Sequence, residues 1–295
     1  MPERGSPNLA RRRRLAGELR RLRERAGLTG NQVTELLGWS ASSKLSRIEL
    51  GKSGVKSADL QALLNQYHVT PARREELTAL AEESRTSGAI QAASMRLPGE
   101  QVAFLEDEAD AESIWMWDPQ VVPGLFQTED YARALLQAWV TRFALPSAEV
   151  DRRIETYRLR QGLLRGDSPP RVSVVIDESV LRRRVGEPSV MRAQLEHLAE
   201  VSELPNVDIR VLPLSGEHLL ATGSFNYLKF RQLHDVPLND IVSFDHLTGM
   251  ENIDGEIEVH QYNVVLDSLI ENSLDRESSR ALIMAIANEV WADPA

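Results

Sequence analysis

The sequence predicts a multidomain protein, with an all-α helix-turn-helix head followed by an α+β body on a mixed sheet of about four strands. Three observations predict it. Helical periodicity with cap signals fills the first part of the chain, β-type alternation is confined to the later part, and the charge changes sign between them. The expected partition is a head over 1–84, a linker over 85–100 and a body over 101–295.

Leu15, Leu19, Leu22 and Ala26 recur at spacings of four, three and four, forming one face of a helix whose other faces carry arginines. Gly27 ends that helix, and Thr29 is placed to cap the next. Val33, Leu36 and Leu37 predict a short second helix that Gly38 breaks. Ser40 or Ser42 caps a third, with Leu45 and Ile48 inward and Gly51 at its end. Ser57 opens a fourth, carrying Leu60, Leu63, Leu64 and Tyr67. Thr70-Pro71 starts a fifth, with the proline at the first helical position, where its missing N–H costs nothing. Between Glu82 and Gly99 bulky apolar residues thin out, which predicts a linker or tether.

In the body, Thr128-Glu129-Asp130 starts a helix reaching about Trp139, and Ser147 starts another reaching Leu164. Arg171 to Asp177 alternates around Val172, Val174 and Ile176 and predicts a strand, as do 207–212, 225–230 and 240–244. A helix from Ser189 to about Glu203 separates the first two strands, and helices near 256–268 and 276–291 close the chain.

The net charge of −10 argues against nucleic acid only until it is divided. Through Arg85 there are 16 basic and 10 acidic residues, a net of +6, which leaves 18 basic and 34 acidic residues beyond, a net of −16. A basic head on an acidic body is the distribution expected of a DNA-binding protein, because affinity depends on local charge at the phosphates. With no cysteine, disulfides and thiolate metal sites are excluded. No run approaches the ~18 apolar residues of a membrane span, and the N-terminus lacks the apolar core of a signal peptide. These features predict a cytoplasmic protein with no membrane partner and no cofactor.

The informative segment is 28–51, LTGNQVTELLGWSASSKLSRIELG. It reads as a helix, a Gly-containing turn, and a second helix that begins with small polar residues. Such a helix fits the major groove with its first side chains at the base edges. Ala41, Ser42 and Ser43 are short enough for close approach, and Arg47, one turn on from Ser43, can bridge guanine O6 and N7. Thr29, Gln32, Lys44 and Lys52 complete the expected DNA-contacting set.

These residues resemble the helix-turn-helix of the Cro/CI-like (XRE) repressor family. The match lies in Leu19, Leu22, Arg23, Gly27-Leu28-Thr29, Leu37-Gly38, Leu45-Ser46-Arg47-Ile48-Glu49 and Gly51. The resemblance implies a partly buried Arg23–Glu49 ion pair tying the first helix to the third. It also places Ser42, Ser43 and Arg47 at base-reading positions, with Lys44 beside a phosphate. Between Gly38 and Ser46 the chain holds one residue more than the commonest family spacing, so the register among Ala41, Ser42 and Ser43 stays open by one. Arg11, Arg12, Arg13, Arg14, Arg20 and Arg21 have two readings, as sequence-independent phosphate contacts or as a solvated face.

The body has no Gly-x-Ser-x-Gly, P-loop, dinucleotide fingerprint or His-Glu-x-x-His, and its histidines never pair at metal-ligand spacing within one helix. The sequence therefore predicts neither an enzyme nor a metalloprotein. Trp115, Trp117 and the run VVPGLFQT (121–128) suit either the floor of a pocket or interface, or core residues fixing a turn, and the second reading is favoured. From about Trp115 onward the chain resembles the effector domain of actinobacterial WhiJ-like (Scr1-type) regulators. The matching motifs are VPGLFQTEDYARALL, Arg160-Gln161, IDESVLRRRVG, MRAQLEHL, VDIRVLPLSGEH and GSFNYLKF. That resemblance implies a developmental or antibiotic-production regulator, often paired with a small partner protein in an antitoxin-like arrangement. Trp117, Gln127, Tyr131, Arg160, Glu178, Arg182 and His218 form the candidate ligand or partner set, with structural ion pairs an equal explanation for Arg160 and Glu178.

The expected function is a homodimeric regulator on double-stranded DNA whose body senses a partner protein or ligand. The alternative is an antitoxin-like interaction module that sequesters a small partner protein and binds DNA for autoregulation.

Overall fold

The computed structural model describes residues 8–40, 42–51, 53–83, 99–143, 146–166, 168–217, 223–231, 239–246 and 249–292. They belong to two compact units, Met1–Asp110 with Phe230–Asn239, and Ala111–Lys229 with Asp240–Ala295.

The first unit holds α1 (Asn8–Arg25), α2 (Gly30–Leu36), α3 (Ser42–Glu49), α4 (Ser57–Gln66), α5 (Pro71–Glu83) and α6 (Gly99–Asp110). Leu15, Leu19, Val33, Leu45, Ile48, Leu60, Leu63, Leu64, Leu77 and Leu80 form its core. These are the apolar positions that the helical spacing selects, since burying one stripe per helix is what stabilises short helices of this kind. Left-handed residues turn the chain at Gly27, Gly38, Gly51 and His68, and two of them frame α3. Gly38 (φ +63) breaks the chain between α2 and α3, and Gly51 (φ +67) ends α3 where a Cβ would stand 3.4 Å from the Cα of Arg13.

α6 departs from the expected partition, which assigns residues 101–110 to the body. Its Phe104 and Leu105 are buried, and so are Glu106, Asp107 and Glu108. Arg13 of α1 reaches Asp107 at 2.7 Å. Arg14, only 2% exposed, donates to the Arg231 carbonyl at 2.6 Å. Arg14 Nε and Nη1 and Asp107 Oδ1 are buried with no hydrogen-bond partner among the described residues. Burial outweighs the neighbouring Arg13 and pushes the Asp107 carboxyl up to about 7.

The second unit contains β1 (Ala111–Asp118), α7 (Glu129–Phe143), α8 (Ser147–Gly162), β2 (Arg171–Asp177), α9 (Glu178–Arg182), α10 (Pro188–Val201), β3 (Val207–Leu212), β4 (Phe225–Phe230), β5 (Ile241–His246), β6 (Gly249–Ile253), α11 (Glu256–Asn272) and α12 (Arg276–Glu289). The sheet has six strands in the order β3-β2-β1-β4-β5-β6. β1, β2 and β3 pair in parallel, and β4, β5 and β6 pair antiparallel. Parallel neighbours require crossover connections. Here α7 and α8 carry the chain from β1 to β2, and α9 and α10 carry it from β2 to β3. Two strands go beyond the four expected. β1 hides its alternation because residues of both parities are buried, and β6 is a polar edge strand with little apolar signal.

β3 is an edge strand, and the chain's end covers it. Ser279 Oγ accepts from the Val211 N–H at 3.0 Å, and the Leu274 N–H donates to the Val211 carbonyl at 2.9 Å. Trp291 donates to the Leu181 carbonyl at 2.8 Å and anchors the end of the last helix. Trp117, Val175, Leu212, Phe225, Tyr227 and Val242 form one apolar cluster of the sheet with Val259, Leu266 and Leu269 of α11.

The buried Asp107 makes the first unit's stability depend on pH with a defined sign. Its unfolded pKa is near 3.9 and its folded value about 7, so between those values the folded state binds the proton more tightly. Its contribution is fully present below about pH 4 and is lost as pH rises through 7. Urea midpoints of wild type relative to Asp107→Asn are expected to fall between pH 4.5 and 7.5 and to level off above. A constant difference across that range would contradict the assignment.

Candidate nucleic-acid interface

α3 is fixed from behind. Arg23 of α1 forms a two-pronged pair with Glu49 at the end of α3, Nε to Oε1 at 2.8 Å and Nη2 to Oε2 at 3.1 Å. Its third nitrogen, Nη1, donates to the Leu28 carbonyl at 2.9 Å. The hydrogen bonds to Glu49 outweigh burial and raise the guanidinium's affinity for its proton. This is the pair that the sequence resemblance implies.

At the start of α2, Thr29 Oγ1 accepts from the Gln32 N–H at 3.3 Å, and Gln32 Oε1 accepts from the Thr29 N–H at 2.8 Å. The two expected DNA contacts therefore close a reciprocal capping box while both residues stay exposed. Lys44, expected beside a phosphate, is engaged within the unit. Its Nζ lies 2.7 Å from Asp59 of α4 and 3.9 Å from the centroid of the Trp39 ring. Trp39 is a residue that the sequence reading passes over. Its only signal is an aromatic directly after the Gly38 turn.

Ser43 and Arg47 are exposed on α3, opposite the buried Leu45 and Ile48. Arg47 Nε rests 3.3 Å from the Ser43 carbonyl, and Arg47 has no carboxylate partner among the described residues. The side chain of Ser42 and the whole of Ala41 and Lys52 lie outside the described residues. Ser43 and Arg47 thus form an outward polar stripe on a helix anchored at its far end. The arginines of α1 are mostly spent elsewhere: Arg13 on Asp107, Arg20 on Glu24 at 3.0 Å, and Arg21 on Glu18 at 3.1 Å. Arg14 is buried, so neither the phosphate reading nor the solvated reading fits it.

The candidate residues of the body do not gather into one open site. Trp117 belongs to the sheet's core. Tyr131, fully buried, accepts from the Val122 N–H at 3.2 Å, and Gln127 donates to the Val122 carbonyl at 2.6 Å. Both therefore brace the 121–128 loop, and within that run Gln127 fixes the turn as the core reading expects. Gln194, which the sequence reading missed, bridges the same loop, donating to the Phe126 carbonyl at 2.8 Å and accepting from the Thr128 N–H at 2.7 Å. Gln161 adds a bond to the Gln127 carbonyl at 2.6 Å. Arg160 lies against the loop: a Cβ at Gly124 would meet its Nη1 at 3.1 Å. Glu178 takes Arg182 on one oxygen and the Leu214 N–H on the other, at 2.8 and 2.9 Å, and so behaves as a structural ion pair. His218 lies outside the described residues. Asp118, at the end of β1, accepts from the Gln120 and Val121 N–H groups at 2.9 and 3.2 Å. Burial pushes its carboxyl up to about 6.

Among the described residues no group of three or more His, Asp or Glu is arranged to hold a metal ion, and no helix is long and apolar enough to cross a membrane.

Fold and site together define a helix-turn-helix protein, a class whose partner is DNA, with a separate α+β domain behind the DNA-binding head. A family model described as a helix-turn-helix domain matches residues 14–77. A second, described as a domain of unknown function (DUF5753), matches residues 101–285. The second match spans well over half of the chain, and the protein belongs to the DUF5753 family. No curated protein and no solved structure matches the chain.

Removing either partner of the Arg23–Glu49 pair is expected to cost the first unit about 2–4 kcal/mol, because the other charge is left half-buried and uncompensated. Denaturant unfolding of Glu49→Ala and Arg23→Ala checks this. The double substitution Arg23→Met with Glu49→Leu is expected to recover most of the loss.

Proposed function

We propose that the chain is a sequence-specific DNA-binding transcriptional regulator. In this reading it acts as a homodimer, with one α3 per half-site, and its body senses a partner protein or ligand. The observation that carries the proposal is Arg47. It is an exposed guanidinium with no carboxylate partner among the described residues, in line with Ser43 on a helix whose position Arg23 and Glu49 fix. An arginine in that setting suits a guanine edge, because its fork matches O6 and N7. Dimerisation rests on the small reading surface of one such head, since two-fold symmetric sites double the contact.

The motifs shared with WhiJ-like regulators support a role in development or antibiotic production, with a small partner protein. A second reading is favoured by the body's 34 acidic residues against 18 basic ones beyond Arg85. In that reading the body sequesters a basic or surface-active partner in an antitoxin-like arrangement, and DNA binding serves autoregulation. Neither reading gives the chain a catalytic role.

The deciding experiment is recovery of bound DNA across the genome, with purified protein titrated on the recovered sites at two salt concentrations. A few sharp sites with steep salt dependence support the regulator, and diffuse binding by a folded protein that copurifies with a small partner supports the module. Sedimentation on DNA carrying both half-sites is expected to give two chains per site-pair, and a monomer on a single half-site would count against the dimer. Arg47→Ala is expected to lose roughly 1–3 kcal/mol on the specific site with little change on unrelated DNA. Equal losses on both would put Arg47 on a phosphate.

A further inference from the structure

The outward stripe of α3 does not end at Arg47. The Leu50 N–H still bonds the Ser46 carbonyl at 3.0 Å, so Leu50 continues the helical ladder before Gly51 turns the chain away. At 100° per residue, Leu50 falls within about 20° of Ser43 around the helix, and Arg47 lies about 40° to the other side. All three are exposed, and Leu50 is 52% exposed. Seven residues at 1.5 Å each spread the stripe over about 10 Å, close to the roughly 12 Å width of the major groove.

A singly exposed leucine is ordinary on a protein surface. Leu50 differs in its place, as a large apolar side chain on the helix face that carries the base-reading candidates. It has no donor or acceptor for a base edge, and against a G·C pair it would strip water from the cytosine amino group without replacing the hydrogen bond. The one apolar group that the major groove presents is the thymine C5-methyl.

We propose that Leu50 is a specificity-determining residue that packs on a thymine methyl in the operator. Arg47 and Leu50 are separated by about 4.5 Å along the helix axis, so the thymine lies in the same stretch of groove as the guanine that Arg47 reads. The inference rests on the DNA-binding reading above and adds to it the chemistry of one operator position.

The test uses the full-length protein and an operator recovered by genome-wide binding. Each thymine is replaced in turn by deoxyuridine, which removes only the methyl. One position near the Arg47 contact is expected to weaken wild-type binding about fourfold, the effect of withdrawing one buried methyl-sized group. Leu50→Ala is expected to weaken binding to the thymine operator by a similar factor and to be indifferent to deoxyuridine at that position. Its thermal midpoint, measured alongside, confirms the fold. Leu50→Gln is a second variant, expected to lose the preference for thymine at that position in a selection from randomised sites while still binding. Specific binding that ignores every methyl overturns the proposal and leaves the regulator reading intact. A methyl effect that persists in Leu50→Ala also overturns it, since the contact then belongs to another side chain. Absence of any specific operator overturns both.

Discussion

The guanidinium of Arg23 joins the last turns of α1, the turn that follows it and the end of α3, through two bonds to Glu49 and one to the Leu28 carbonyl. All three pieces of backbone meet at one planar group whose donors point in fixed directions, so their mutual orientation is set to within a hydrogen bond's tolerance. Apolar packing alone does not supply this. Leu45 and Ile48 hold α3 to the core but leave it free to rotate or slide by small amounts at little cost, because dispersion contacts are non-directional. Asp59, with Lys44 laid over Trp39, fixes the other end of α3 against α4. A helix pinned at both ends holds Ser43 and Arg47 in place on its exposed face, and in the DNA-binding reading proposed above such preorganisation lowers the entropic cost of association.

The buried acids of α6 change how the charge of the head is to be understood. Through Arg85 the chain is basic by six, yet over the first compact unit, which adds α6 and residues 230–239, 18 basic residues stand against 16 acidic ones. Most of the head's surplus is neutralised inside its own fold. The arginine run at 11–14 then counts for less than its length suggests, with Arg13 on Asp107 and Arg14 buried. The same helix separates two meanings of domain. The DUF5753 match begins at residue 101, inside α6, while the compact unit containing α6 ends at Asp110. A buried ion pair contributes little net stability but penalises any arrangement that leaves one partner alone. Arg13 and Asp107 therefore specify where α6 docks more than they strengthen the docking.

Most of the head was legible in the sequence because its signals are local. Spacings of three and four residues, Thr29 before α2, Pro71 at the start of α5, and glycines at 38 and 51 each act within a turn or two. The Arg23–Glu49 pair spans 26 residues and came from resemblance, since spacing alone does not bring two charges together. What escaped was long-range. Asp59 claims Lys44 across 15 residues, and Asp107 claims Arg13 across 94. Neither pairing leaves a mark near the residues involved. In the body, strands at 171–177, 207–212 and 225–230 were readable from β-branched and aromatic alternation. β1 was not, because its tryptophans and its buried faces on both sides resemble a pocket wall as much as a strand.

The loop after β1 shows how residues that suggest a ligand site in the sequence can be engaged within the fold. In an open α/β sheet, the crevice beyond the strand ends is where ligands usually sit, at the point where strand order reverses. Here the chain leaves β1 for β2 on one side and returns to place β4 on the other, so the 119–128 segment starts at such a point. Its backbone groups are taken by Tyr131, Gln127, Gln161, Gln194 and Asp118, and backbone groups satisfied in this way make a loop stiff. A stiff loop suits a surface that a partner meets already formed better than a lid that closes over a small molecule. The polar residues that suggest a binding pocket in the sequence are thus bonded to the loop's own backbone, and they set its shape.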